Sequence, residues 1–302
     1  MRWILLFTFP FLLADFSGQM TSSAPPHHCG NDTLRYFFVG HCYDWQSAGV
    51  DPRVEGLNYG RYDRIMLGGD VCSEALFRRR TVVYIDSIFD LGSPYTHYVM
   101  GNHDARNENW EWYEEFTGRK TYSTHSEHGL TVFVLNTTIN PGDCEDLDAQ
   151  YRLLESICDT IAASSHLLIL QHHGIMQDVP GLPSRILDYA NWQIPFWNAN
   201  CYQENTFYID AVYPMLVEVQ QRGVQVISVV GDGGVREKGR TMETPEGLYY
   251  ISSGIDNTRY ANDSLALDTV PKDKVLIFEH LPATRSLTWE FWDLDSLYNA
   301  EN

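Results

Sequence analysis

Polar residues that can bind a metal ion follow five of the hydrophobic runs in this sequence. Aspartate, asparagine and histidine donate oxygen or nitrogen atoms to divalent cations. An Asp or Asn after a single strand usually forms only a turn, but five such positions in chain order indicate a shared site at the carboxyl ends of strands. The five segments are Gly40-His41-Cys42-Tyr43-Asp44, Gly68-Gly69-Asp70, Gly101-Asn102-His103-Asp104, Gln171-His172-His173 and Gly231-Asp232-Gly233-Gly234.

Short β-rich runs separated by longer polar or helical stretches must position these residues. Near-continuous apolar runs of this kind fit strands that are covered on both faces. An apolar stripe from Leu147 to Ile161 predicts an amphipathic helix, and a second helix is expected over 208–222, before Gly223. The alternation predicts an α/β layered fold. The predicted strands are 35–39, 64–67, 97–100, 130–135, 166–170 and 224–230.

The end of the chain has a different pattern. Residues 248–252, 274–280 and 287–294 are typical of three strands with little helix between them, so we expect antiparallel pairs that form a second sheet packed on the first. Residues 178–207, rich in Pro, Trp and Asn, predict a long irregular loop, and loops of that length are often functional. No linker-like run divides the chain, so residues 30–302 are predicted to form a single domain.

The charge of the chain restricts its partners. The 302 residues include 21 Lys and Arg against 40 Asp and Glu, which gives a formal net charge of −19. Such a field repels nucleic acid and anionic membranes, so we expect no nucleic-acid duplex as a partner, whereas a bound cation suits it. The sequence has no G-x-S-x-G elbow, Walker loop or H-E-x-x-H motif. Its oligomeric state stays open.

The N-terminus predicts export. Met1-Arg2, an apolar stretch from Trp3 to Leu13 and small residues up to Ala24 are typical of a signal peptide over residues 1–24; an uncleaved anchor is the alternative. The protein is therefore predicted to be secreted or extracytoplasmic, with no stable membrane insertion after signal removal. Six cysteines then suggest up to three disulfides, or else buried free thiols. The candidate glycosylation sites are Asn31, Asn136 and Asn262.

The polar segments resemble the central motifs of the calcineurin-like metallophosphoesterases. Gly69-Asp70, Gly101-Asn102-His103-Asp104 and a strand ending in His172 carry the resemblance, which extends over roughly residues 35 to 293. It implies a four-layer α-β-β-α sandwich of two mixed sheets flanked by helices, and a centre for two metal ions. In that family an Asp, here Asp70, bridges the ions, while Asn102 and His172, or His173 as the fallback, complete the second site. His103 corresponds to the general acid or transition-state stabiliser.

The first and last motifs depart from the family pattern. The family has Asp-x-His where this chain has His41-Cys42-Tyr43, and Gly-His-x-His where this chain has Gly231-Asp232-Gly233-Gly234. Imidazole and carboxylate both bind Zn²⁺, Mn²⁺ or Fe, so the exchanged residues remain competent ligands. We therefore expect one well-formed site, built from Asp70, Asn102, His172 and Asp232. A second site would keep His41 and Asp70, would have only Tyr43 or Asp44 as substitutes, and is expected to be weak or empty.

The resemblance implies a metal-dependent hydrolase of phosphate mono- or diesters that acts on a small phosphorylated substrate. Hydroxide generated on the metal would attack phosphorus, and His103 would assist the leaving oxygen. His41 would act as a base or contact the phosphate. Arg106, His173 and Tyr43 are candidate substrate contacts, with a solvated surface role as the alternative for Arg106. The second hypothesis is an extracellular binding protein that kept the fold and lost the reaction.

Overall fold

A computed structural model describes most of the chain after its N-terminal segment. Several predicted features lie outside the described residues: the signal peptide, Asn31, Asn262, Gly233-Gly234 and most of the predicted long loop. The described ranges are 33–44, 46–73, 75–106, 109–140, 142–176, 178–182, 208–232, 238–255 and 272–302.

The first sheet has five strands in the order β11-β10-β1-β2-β3. Its parallel part consists of β1 (Leu34–Val39), β2 (Arg64–Leu67) and β3 (Thr96–Tyr98). Two long strands, β10 (Lys274–Leu281) and β11 (Ser286–Asp293), pair antiparallel with each other, and β10 pairs antiparallel with β1. The carboxyl ends of β1, β2 and β3 therefore meet at one edge of this sheet.

The second sheet has six strands in the order β4-β5-β6-β7-β9-β8. Its parallel centre consists of apolar runs that are buried on both faces, as expected for covered strands. The outer strands β4 and β8 pair antiparallel with β5 and β9. The strands are β4 (Ser123–Glu127), β5 (Leu130–Val134), β6 (His166–Gln171), β7 (Gln225–Val230), β8 (Arg240–Glu243) and β9 (Tyr249–Ser252).

Three apolar cores separate four layers. One core lies between the two sheets and includes Phe38, Met66, Leu168 and Ile227. A second lies between the first sheet and α1 (Pro52–Glu55), α2 (Arg79–Phe89), α3 (Trp110–Thr117) and α6 (Leu294–Glu301). The third lies between the second sheet and α4 (Cys144–Thr160) and α5 (Tyr213–Gln221). The architecture is the predicted α/β sandwich of two mixed sheets flanked by helices. Within the described ranges, every helix is too short or too polar to cross a bilayer.

The prediction for the last strands is confirmed in part: β10 and β11 pair antiparallel, but β9 does not pair with either of them. They do not form a second sheet of their own: β9 lies parallel beside β7, whereas β10 and β11 extend the first sheet. The residues from Tyr250 to Ser252 are buried, and a position beside β7 covers them on both faces. His125 lies in the edge strand β4.

Two predicted modifications are corrected by burial. Asn136 is only 1% exposed, and its amide nitrogen donates to Thr121, so the folded chain has no room for a glycan at this position. Cys42, Cys72 and Cys158 are buried free thiols, which excludes three disulfides. The remaining three of the six cysteines allow at most one bridge within the chain.

Candidate metal centre

Close backbone contacts bring the two sheets together at their carboxyl edge. Gly40 follows β1, Gly68 follows β2 and Gly231 follows β7. A Cβ atom on Gly231 would lie 1.9 Å from the carbonyl oxygen of Gly68, and one on Gly40 would lie 2.4 Å from the Cα of Gly231. Only glycine fits at such distances. The polar residues that follow these glycines therefore face each other across the two sheets.

His172 lies at the centre of the cluster. Its Nε2 atom is 3.2 Å from Oδ1 of Asn102, 3.3 Å from Oδ2 of Asp70 and 4.0 Å from Oδ1 of Asp232. Ligand atoms about 2.1 Å from a tetrahedral ion are about 3.4 Å apart. His172 thus lies near each of the other three predicted ligands, at distances close to the spacing of ligand atoms around a single divalent cation.

Backbone carbonyl groups orient two of the histidines. Nδ1 of His172 lies 2.9 Å from the carbonyl oxygen of Gly68, and Nδ1 of His41 lies 3.0 Å from that of Ile255. A carbonyl only accepts, so each Nδ1 carries a proton, which leaves Nε2, the atom directed at Asp70, as the nitrogen that can bind a metal ion. This outer hydrogen bond fixes the tautomer of many metal-binding histidines.

His173 also belongs to the cluster. Its Nε2 lies 3.2 Å from Oδ1 of Asn102, and its Nδ1 lies 3.0 Å from the hydroxyl of Thr137. His172, His173 and Asp232 place one ligand atom each within 4.8 Å of one another, and so do His41, Asp70 and Asp232. His173, predicted as a fallback ligand or a substrate contact, is therefore near enough to bind the same ion.

The carboxylates make the site favourable for positive charge. Burial opposes protonation of His172, but Asp70 and Asp232 outweigh it and raise its pKa to about 10. Burial also opposes ionisation of Asp70, but His172 and His41 together lower its pKa. The buried Oδ2 of Asp70 accepts no hydrogen bond from the described residues. Carboxylate, amide and imidazole atoms around one orphaned oxygen are a donor set that fits Mn²⁺, Zn²⁺ or Fe.

The backbone at two of these residues is strained. His41 and Asp70 are in the left-handed region, with φ of 51° and 52°. For a residue other than glycine this conformation costs about 1–2 kcal/mol. The backbone N–H of His41 donates to the carbonyl of Gly69, and that of Tyr43 donates to the carbonyl of Asp70, so the two loops hold each other in place. Strain of this kind is often found at functional sites.

Asp104 holds the loop that carries Asp70, a role that the sequence analysis missed. Its carboxylate accepts backbone N–H groups from Asp70 and Gly101 on one oxygen and from Val71 and Cys72 on the other. Asp104 is fully buried, so these four bonds are shielded from water. Its place as the last residue of Gly101-Asn102-His103-Asp104 was the available signal. The motif therefore supplies both a ligand and the acceptor that shapes the neighbouring loop.

His103 is positioned beside the ligands. Its backbone N–H donates to Oδ1 of Asp70 at 2.8 Å, and its ring stacks on Tyr43 at 4.7 Å between centroids. Burial lowers the pKa of His103, and the positive charge of Arg106 adds to this, while Asp70 opposes it. The ring is therefore neutral at neutral pH. Arg106 itself is exposed.

The predicted substitutes for a second site are not used in the same way. The carboxylate of Asp44 accepts the backbone N–H groups of Gln46 and Ser47, so it caps its own loop. Tyr43 is buried and packs between His41 and His103. Nε2 of His41 lies 3.7 Å from Oδ2 of Asp70. Among the described residues, Asp232 is the other carboxylate grouped with these two as a possible metal ligand. The second group of ligands is therefore smaller than the one around His172.

Comparisons with known proteins add little to this geometry. No family model matches the chain, and no curated protein matches it. Among solved structures it is similar to Vps29 of Chaetomium thermophilum, at 11% sequence identity and a TM-score of 0.31. That similarity covers 86% of this chain and 97% of the Vps29 chain.

Proposed function

We propose that the chain is a divergent calcineurin-like metallophosphoesterase that hydrolyses phosphate mono- or diesters with a divalent metal ion. One observation carries the proposal: Nε2 of His172 lies within 4.0 Å of ligand atoms from Asp70, Asn102 and Asp232, which come from both sheets. The sequence motifs and the sandwich architecture support the same family. A small phosphorylated substrate fits this chemistry.

The residues of the chain have distinct roles in this proposal. Asp70, Asn102, His172 and Asp232 would hold the ion, and His41 and His173 are further candidate ligands near them. When bound, the ion supplies positive charge for the phosphoryl oxygens and lowers the pKa of a water molecule toward neutrality. His103 would give a proton to the leaving oxygen from its protonated form, which is a stronger acid because burial lowers its pKa, and its ring is held in place against Tyr43.

Metal content tests the first half of the proposal. The protein is purified without chelator, and bound Mn, Zn and Fe are measured per chain by mass spectrometry. We expect about one tightly bound ion in the wild type and its loss in Asp70→Asn. Asp148→Asn is the matched control, because Asp148 is an exposed carboxylate on α4. Equal metal content in all three proteins would show that these ligands do not form the site.

Hydrolysis tests the second half. An aryl phosphate and an aryl phosphodiester are incubated with each metal, and His103→Ala is compared with His128→Ala, a change at an exposed histidine in the turn after β4. Loss of a positioned general acid typically costs about 10²- to 10⁴-fold in rate. We expect that loss for His103 alone. The same rate in both variants would remove His103 from the mechanism.

A ligand-binding protein without catalysis is the second candidate. The His at position 41 and the Asp at position 232, where the family has Asp and His, favour it. Metal binding by the wild type together with no hydrolysis under any metal would support this alternative.

We also propose that the protein enters the secretory pathway. The sequence of residues 1–24 supports this, and so do the sequons at Asn31 and Asn262. Expression in a secreting cell line, followed by N-terminal sequencing of protein from the medium, tests the proposal. We expect the mature chain to begin near Ala24; retention of Met1 in cells would contradict it.

A further inference from the structure

A cavity of about 540 Å³ lies between the loop after β1, the loop after β2 and the start of α2. Cavities of this size hold small-molecule ligands. The described lining residues are Ser47, Ala48, Gly49, Cys72, Ser73, Phe77, Arg78, Arg80, Thr81 and Tyr84.

The lining of this cavity is cationic although the protein is strongly acidic. Arg78 and Arg80 both contribute to it, and the described lining residues include no carboxylate. The arginine between them, Arg79, is instead paired with Glu115. Arg78 and Arg80 form no ion pair with the described residues, so their charge is available to a ligand. Guanidinium groups bind phosphate oxygens strongly and with defined geometry.

Hydroxyl groups and an apolar wall complete the lining. Ser47, Ser73 and Thr81 can each donate an O–H to an anion. Phe77 is 43% exposed, the ring lies against Arg78, and it offers an apolar surface to the remainder of a ligand. This combination suits a phosphorylated organic molecule better than a free cation or an apolar compound.

The cavity is preformed by hydrogen bonds between the two loops. The carbonyl oxygen of Ala48 accepts the thiol of Cys72 and the backbone N–H of Ser73, each at 3.0 Å. On the other loop, the carboxylate of Asp44 fixes the backbone N–H of Ser47. A ligand would therefore meet a preformed wall of backbone, and binding would mainly order the exposed side chains of Arg78 and Arg80.

One loop contributes residues to both the cavity and the metal centre. Cys72 is two residues beyond Asp70, and consecutive Cα atoms are 3.8 Å apart, so their Cα atoms are at most about 7.6 Å apart. The loop after β2 therefore contributes Asp70 to the metal centre and Cys72 to the cavity.

We propose that this cavity binds a second phosphate group of the substrate, through Arg78 and Arg80, while the ester to be cleaved lies at the metal centre. The substrate would then be a small molecule with at least two phosphate groups. Anion binding by the cavity is independent of hydrolysis. Only the placement of the ester at the metal centre rests on the proposed function.

Pyrophosphate binding tests the cavity alone. Calorimetric titration is performed on EDTA-treated protein, so that no metal holds the anion. We expect saturable binding by the wild type and by Arg79→Gln, and at least about tenfold weaker binding by the double variant Arg78→Gln/Arg80→Gln. All three substitutions are at exposed positions, and circular dichroism melting confirms that each variant is folded. No binding by the wild type, or equal binding by the double variant, would overturn the proposal.

Substrate preference tests the link to the metal centre. Phosphate release is measured from adenosine monophosphate and from adenosine 3′,5′-bisphosphate. In the double variant we expect the KM for the bisphosphate to rise about tenfold with kcat unchanged, and the KM for the monophosphate to stay the same. Equal changes for both substrates would refute the second-phosphate role. If the wild type hydrolyses neither compound, the proposed function fails, while pyrophosphate binding still decides whether the cavity is an anion site.

Discussion

The glycine contact between the sheets gives the sharpest prediction, the effect of Gly231→Ala. The new Cβ would lie 1.9 Å from the carbonyl oxygen of Gly68 and 2.6 Å from its carbonyl carbon. Both partners are backbone atoms, so no side chain can move aside. Ordinary contact begins at 3.4 Å, and the tips of β2 and β7 must therefore separate by about 1.5 Å.

This separation has a calculable effect on the site. Nε2 of His172 is 3.3 Å from Oδ2 of Asp70, and a shift of about 1.5 Å would bring the two atoms to about 4.8 Å. An ion bound at about 2.1 Å from each ligand spans at most about 4.2 Å. We therefore expect metal affinity to fall by about 100-fold or more, and the free energy of unfolding to fall by about 3 kcal/mol.

Gly223→Ala is the matched control. Gly223 precedes β7 with a φ of +86°, and a Cβ there would meet nothing within 4 Å. It should cost about 1 kcal/mol through backbone strain alone and leave the metal affinity unchanged. Urea unfolding with and without metal measures both quantities. If Gly231→Ala behaves like Gly223→Ala, the contact between the sheets does not set the geometry of the site.

Three further predictions concern other parts of the molecule. Burial is the main cause that lowers the pKa of both His166 and His280 to about 4, while unfolded histidine titrates near 6.5. The contribution of these two histidines to urea stability without metal should therefore be constant above about pH 6.5 and fall toward pH 4 by about 1–3 kcal/mol; His280→Gln should reduce this acid slope, and an unchanged slope would contradict the assignment. Asn136→Ala should lower stability by about 2–3 kcal/mol, and peptide mass spectrometry should find no glycan at Asn136 in the wild type. Asp104→Ala removes the acceptor of four backbone N–H groups and should weaken metal binding about as much as Asp70→Asn does in metal analysis; normal affinity would exclude its role in shaping the loop.

The sequence predicts the parallel strands and their polar ends well for a physical reason. Buried strands need continuous apolar runs, and the glycines and polar residues that follow these runs mark the ends of the strands. Asp70, Asn102, His172 and Asp232 were identified in this way, and the structure places them together.

Other features were not visible in the pattern. The edge strand β4 has the sequence Ser-Thr-His-Ser-Glu, which carries no apolar signal because edge strands are often polar. The pairing of β9, β10 and β11 depends on the tertiary packing that buries the apolar faces of these strands, which the local sequence does not encode. The sequence Asn136-Thr137-Thr138 matches a glycosylation site, yet in the fold Thr137 supports His173 and Asn136 shapes the turn. Such roles follow from tertiary contacts that a short motif does not encode.

The division of the ligands between the two sheets has a consequence for the order of folding. His41, Asp70 and Asn102 follow strands of the five-stranded sheet, whereas His172 and Asp232 follow strands of the six-stranded sheet. His173 also follows a strand of the six-stranded sheet, but neither half holds all four of Asp70, Asn102, His172 and Asp232, so full affinity arises only once the layers have docked. In a refolding experiment, uptake of a spectroscopically visible ion such as Co²⁺ should therefore lag behind secondary structure and report the moment at which the inner apolar layer closes.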